Sequence, residues 1–105
     1  MDTKTFGALA EPNRFRIIEL LREQSHSVND FVKLLKIKQP QVSKHLRILN
    51  DGGLVVVKPI AQQRIYSLNP EAFIELDQWV NSFNKLWNNR LNNLADHLKL
   101  TNKKG

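Results

Sequence analysis

The sequence predicts a mainly α-helical fold with one small β-hairpin and a long C-terminal helix. Three observations predict it. Apolar residues recur at steps of three and four through most of the chain, the period of a helix buried on one side. Between Leu54 and Leu68 that period gives way to β-branched and alternating residues, the mark of two short strands. From Phe73 to Leu98 the three-and-four spacing resumes and runs unbroken. With 105 residues, 41% of them hydrophobic and 25% charged, the chain has the size and composition of one globular domain. That domain is expected over residues 1–100, with a disordered basic tail at 101–105.

Residues 3–10 suit a short helix with Phe6 and Leu9 on one side. Pro12 pushes Glu11 out of helical geometry and then serves as the first residue of a helix over about 12–23, where its missing N–H costs nothing. That helix is expected to bury Phe15, Ile18 and Leu21, with Ile17 and Leu20 beside them. Gln24 to Ser27 is polar and reads as a loop. Ser27 followed three residues later by Asp30 is a variant capping box, opening a short helix with Val28, Phe31, Val32 and Leu35 inward. Gln39-Pro40 starts the next helix, whose stripe is Val42, Leu46 and Leu49. Gly52-Gly53 ends it, glycine supplying the left-handed conformation. Leu54–Lys58 and Arg64–Leu68 then form a hairpin around a turn at Pro59 to Gln63, and a lone hairpin must pack on the helices to be stable. After Asn69-Pro70 the last helix carries Phe73, Leu76, Val80, Phe83, Trp87, Leu91, Leu94 and Leu98 on one face and many asparagines opposite.

Composition excludes several classes of function. There is no cysteine, hence no disulfide scaffold, thiolate metal site or cysteine nucleophile. The longest apolar run is four residues, Leu54 to Val57, too short to span a membrane. The amino terminus lacks a signal segment, so a cytoplasmic location is expected. A glycine-rich phosphate loop and a Ser/His/Asp pattern are both missing, so neither an enzyme nor a bound cofactor is expected.

Charge points to a partner. The net charge is +6, and the surplus is local: Lys33, Lys36, Lys38, Lys44, Arg47, Lys58 and Arg64 fall between Phe31 and Leu68 against Asp51 alone. Such a zone is the footprint of a polyanion, although a solvated basic face has the same composition.

Helix, short turn, helix and hairpin, with the basic surplus on the second helix and the hairpin, make a winged helix-turn-helix (helix-turn-helix about 28–50, wing about 54–68, last helix about 70–99). A helix fits the major groove of double-stranded DNA side-on. Gln39, Gln41, Ser43, Lys44 and Arg47 are its expected exposed positions. Gln41 and Ser43 suit base edges, Arg47 a guanine or a phosphate, and Lys44 a phosphate. His45 stands at the edge of the buried stripe, open between a phosphate contact and packing against the preceding helix. On the wing, Lys58 and Arg64 flank the turn, and Gln62 and Gln63 reach toward a groove or the backbone; the uncharged turn argues for a modest wing contribution. Two readings compete: a sequence-specific DNA-binding regulator, and a winged helix used for protein–protein or non-specific nucleic-acid binding.

The stretch from Ala10 to Leu68 resembles the bacterial ArsR/SmtB (arsenic-repressor) family of dimeric winged-helix repressors. The resemblance is carried by AEPNRFRIIELL, by SVNDFVKLLKIKQPQVSKHLRIL, and by GGLV and RIYSL. It implies operator binding by the helix around Gln39 to Leu49, with Ser43, Lys44, His45 and Arg47 on the motif positions, and a homodimer built from the first and last helices. The chain departs from the family pattern at several places, among them Lys38, where Ser is usual. Glu11 stands where Asp is usual, Lys36 where Gly is usual in the turn between the central helices, and Ala61, Gln62 and Gln63 where the wing tip usually carries Gly with arginines. The family's thiolate sensor helix corresponds to Val28–Leu35, which has no cysteine. Its second metal site would need a histidine pair on the last helix, where this chain offers Glu75, Asp77, Asp96 and His97 with one histidine. No metal is therefore expected, and any effector would be an unidentified small molecule or protein.

A stripe with this many aromatics exceeds the needs of one small core. Pairing with a second copy would hide it, which places Phe6, Leu9, Phe73, Val80, Phe83, Trp87, Leu91 and Leu94 at a homodimer interface. The alternative is that this face packs on its own chain.

Overall fold

The computed structural model describes residues 2–104, with side chains except those of Asp96, Lys99, Leu100 and residues 101–104. In chain order the elements are α1 (Thr3–Leu9), α2 (Pro12–Leu21), β1 (His26–Ser27), α3 (Val28–Leu35), α4 (Gln39–Asp51), β2 (Val55–Ile60), β3 (Gln63–Leu68) and α5 (Pro70–Lys104). Residues 1–73 and 74–105 form two compact units.

Side-chain caps start the first three helices. Asp2 accepts the Thr5 N–H to begin α1. Glu11 accepts the Arg14 N–H at 2.8 Å and leads into Pro12, so the longer acid caps α2 adequately where an aspartate is usual. Ser27 and Asp30 exchange both bonds of a complete capping box at α3. Asp30 sits below the usual carboxylate range chiefly because the Ser27 N–H bonds its charged form, against a smaller opposing effect of burial. The core of the first unit is built from Ile17, Ile18, Leu21, Phe31, Leu35, Val42, Leu46, Leu49, Leu54, Val55 and Tyr66, with Phe73 packed against it. The α3 and α4 stripes are as expected. On α2 the buried face is rotated: Ile17 is fully buried, whereas Phe15, expected in the buried stripe, is 54% exposed and lies outside it. The two β-branched isoleucines and Leu21 join the same core cluster as Val42, Leu46 and Leu49 of α4.

The segment expected as a loop at Gln24 to Ser27 contains β1. It pairs antiparallel with β3, His26 opposite Tyr66 and Ser27 opposite Ile65, giving a three-stranded sheet of order β1-β3-β2. A two-residue strand carries no period, and long-range pairing alone creates it. The hairpin is tighter than expected. Pairing extends to Ile60 opposite Gln63, so Pro59 lies within β2 rather than in the turn. β2 is an edge strand, where a residue without an N–H is tolerated. Two residues remain for the turn, and Ala61 takes φ 55° to close it. Lys36 ends α3 with φ 58°, and Gly53 follows α4 with φ 77°.

Asn69 joins the sheet to the last helix. Its amide donates to the Gly53 carbonyl at 2.8 Å, and its side-chain oxygen accepts the Glu71 N–H. The backbone of α5 is helical to Lys104, so residues 101–104, expected as a disordered tail, continue the helix; Gly105 lies outside the described residues. Within 74–105 the stripe Val80, Phe83, Trp87, Leu91, Leu94 and Leu98 is roughly half exposed along its length. Trp79 packs edge-on to Phe83, and the Arg90 guanidinium lies over Trp87.

Candidate nucleic-acid interface

The turn between α3 and α4 is three residues long, so α4 starts at Gln39 with its inner face already committed to the core. Val42, Leu46 and Leu49 have no exposed surface. The helical period therefore turns Gln39, Ser43, Lys44 and Arg47 outward, and all four are exposed. Pro40, Ser43, Lys44 and Arg47 line one shallow depression on that face. Among the described residues, the side chains of Ser43, Lys44 and Arg47 make no hydrogen bond or ion pair within the chain. An Arg and a Lys held in water without an acid partner have donors to spare for an anionic ligand.

Two of the expected site residues have intramolecular roles. The Gln41 side-chain oxygen accepts the Lys38 N–H at 3.1 Å and caps α4, which leaves its NH2 group to donate outward. His45 lies beside the α1–α2 corner. Its Nδ1 is 3.2 Å from Arg14 Nη1 and 3.6 Å from Glu11 Oε2, and its side chain is 15% exposed. The side chain is packed, but against the α1–α2 corner rather than against the preceding helix α3 as expected. Burial raises the Glu11 carboxyl, but the N–H groups of Arg14 and Asn13 and the neighbouring His45 and Arg14 charges outweigh it and hold the group below its ordinary range.

The hairpin brings Gln62, Gln63 and Arg64 to the start of α4. With Gln39, Ser27, Val28 and Asn29 they line a notch of about 210 Å³ that contains no acid. Lys58 stands apart from the notch, exposed on β2 opposite Ile65. Sequence reasoning missed Asn29 and Arg14. The first stands near the hairpin only because β1 pairs with β3. The second is 31 residues from His45, and no local pattern connects them.

The expected dimer residues divide. Phe6 and Leu9 on α1 are half-buried, and Phe73 packs on the core of residues 1–73, whereas Val80, Phe83, Trp87, Leu91 and Leu94 are open within 74–105. No described helix is long and apolar enough to cross a membrane. Among the described residues no three His, Asp or Glu side chains are grouped to hold a metal ion.

Residues 11–57 match the sequence profile of bacterial regulatory proteins of the arsR family. The chain is 32% identical over 73 residues to the HTH-type transcriptional regulator Rv2034 of Mycobacterium tuberculosis, covering 70% of this chain and 68% of that protein. It is 39% identical over 61 residues to the HTH-type transcriptional repressor SmtB of the same species, spanning 58% of this chain and 45% of that protein's length. In structure it is similar to a crystallised ArsR family transcriptional regulator, with a TM-score of 0.73 and 25% identity over 81% of this chain and 93% of the other.

Proposed function

The chain belongs to the arsR family of bacterial regulatory proteins, and from that premise we propose that it is a homodimeric repressor that reads a palindromic DNA operator with α4. The observation that carries this reading is the outward face of α4, where Ser43, Lys44 and Arg47 are exposed beside one another without partners among the described residues. α4 lies in the major groove. Arg47 forks to a guanine or to a phosphate, Ser43 and the Gln41 NH2 group meet base edges, and Lys44 and Gln39 face the backbone. The wing adds Arg64, Gln62 and Gln63 from the notch and Lys58 from its outer strand, a small contribution because its tip is uncharged. The α5 stripe pairs with that of a second copy, joined by Phe6 and Leu9 of α1. A two-fold axis then sets two α4 helices about 34 Å apart, one turn of the duplex. The protein acts in the cytoplasm, where its DNA lies. An effector, a small molecule or a protein, releases it from the operator; a chain without cysteine offers no thiolate to a metal.

The test is selection of binding sites from random duplex DNA, followed by fluorescence anisotropy on the selected site and a scrambled one across a salt series. A preference of about a thousandfold or more for a two-fold-symmetric site is expected of an operator reader. Equal, steeply salt-dependent binding to both duplexes means a non-specific nucleic-acid module, and no binding to either means a protein-interaction module.

A further inference from the structure

Resting on that reading of α4, we infer that the corner between α1 and α2 is a clamp that sets how α4 sits in the groove, with Arg14 and His45 as its positioning residues. Val42, Leu46 and Leu49 hold α4 to the core, but apolar burial is non-directional and tolerates small rotations and slides of a helix. Two directional contacts remove that freedom. Arg14 Nη1 meets His45 Nδ1 at 3.2 Å, and the Thr5 hydroxyl lies 3.0 Å from the Gly52 carbonyl at the end of α4, its one proton shared with the Asp2 carboxylate, also 3.0 Å away. His45 and Gly52 are seven residues apart, which puts them on one face of the helix about 10 Å from each other. Both partners come from the same corner, Thr5 from α1 and Arg14 from the first turn of α2.

The corner is itself fixed. Arg14 Nε donates to the Ala8 carbonyl at 2.7 Å, and the Arg14 N–H donates to the Glu11 carboxylate at 2.8 Å. A guanidinium has only donors, so its contact with Nδ1 requires a lone pair there. The contact is a hydrogen bond in the tautomer whose proton sits on Nε2. Glu11 Oε2 also faces the ring, 3.6 Å from Nδ1.

The clamp acts on specificity more than on affinity. Hydrogen bonds to base edges fall away steeply with a displacement of α4, whereas attraction to the phosphates is long-ranged and survives it. Removing a hydrogen bond to a charged group is worth about tenfold in an equilibrium constant. His45→Phe, which keeps a ring and loses the acceptor, is therefore expected to lower the operator-over-scrambled ratio about tenfold while leaving affinity for scrambled duplex and the salt slope unchanged. His45→Gln offers an amide oxygen to Arg14 and should retain most of the ratio. Arg14→Lys, which keeps the charge and loses the fork, should reproduce the loss if the phenylalanine variant does not fold. Thermal melting checks each variant for folding. An unchanged ratio in folded His45→Phe overturns the clamp. So does an equal loss on both duplexes, the signature of a phosphate contact. A readout without DNA separates this inference from the operator reading. The ¹⁵N shifts of the His45 ring in the free protein should report an unprotonated Nδ1 that changes on Arg14→Leu, and a protonated Nδ1 overturns the clamp even if operator discrimination is normal. A wild-type protein that does not discriminate sinks the operator reading, and the ring shifts then decide the clamp by themselves.

Discussion

Arg47 is the residue on which the DNA-binding reading most directly depends. It is exposed, without a partner among the described residues, and one helical turn from Ser43 on the same face of α4. Arg47→Ala is expected to weaken operator binding by about 1–3 kcal/mol while sedimentation still shows the intact dimer. An unchanged operator affinity would remove Arg47 from the interface. The outward positions of α4 were legible in the sequence because the buried stripe fixes the helix's rotation, and rotation fixes what faces out. The partner of His45 was not legible, since a contact between residues 14 and 45 exists only once α2 and α4 are packed. Charged caps give a second prediction at this scale. Asp2, Glu11 and Asp30 each accept a backbone N–H at a helix start, and each is held below its ordinary range. A carboxyl whose folded pKa is depressed adds stability above its unfolded pKa and loses it as pH falls through the folded one. Melting temperature should therefore fall on acidification below the ordinary carboxylate range. Asp30→Ala, which removes half of the α3 capping box, should cost about 1 kcal/mol at neutral pH and flatten part of that acid limb. A variant with wild-type stability would show that the box is dispensable.

Two turns carry the local strain. Lys36 after α3 and Ala61 at the wing tip are the non-glycine residues with positive φ among the described residues, at 58° and 55°. Both stand where the resemblance to the family led one to expect glycine, so the departures seen in the sequence are the places where the fold holds a side chain in an unfavourable backbone conformation. A left-handed L-residue costs about 1–2 kcal/mol, partly offset in a glycine variant by its freer unfolded chain. Ala61→Gly and Lys36→Gly are each expected to raise stability by about 0.5–1 kcal/mol, read from denaturant midpoints. A loss of stability in either would mean that the neighbouring side-chain contacts outweigh the backbone. The hairpin also shows how far elements were readable. Its existence followed from the change of period at Leu54. Its extent did not, because Pro59 reads as a turn residue until the sheet order shows that β2 lies at an edge. β1 was invisible for the same reason: two residues acquire strand character only from their pairing with β3.

The largest remaining question of scale is how residues 74–98 hide their apolar stripe. Val80, Phe83, Trp87, Leu91, Leu94 and Leu98 are each close to half exposed, on a helix segment of roughly 36 Å. An apolar strip of that length left in water would be an aggregation hazard, and a regulator must stay soluble while searching DNA. A self-complementary pairing meets both demands, and it has a consequence for mutations. In a two-fold interface every substitution occurs twice. Trp87, 56% exposed and capped by Arg90, is the largest side chain near the middle of the stripe. Trp87→Ala is expected to cost at least about 2 kcal/mol, raising the dimer dissociation constant some thirtyfold or more. Operator affinity should fall with it, because two joined α4 helices bind the second half-site at high effective concentration and separated ones do not. The two defects can be told apart. Operator binding by Trp87→Ala, limited by dimerisation, should rise with about the square of protein concentration, whereas binding by Arg47→Ala, whose dimer is intact, should rise in simple proportion to it. Sedimentation of Trp87→Ala as a full-strength dimer would show that the stripe is covered by something other than a second copy of α5.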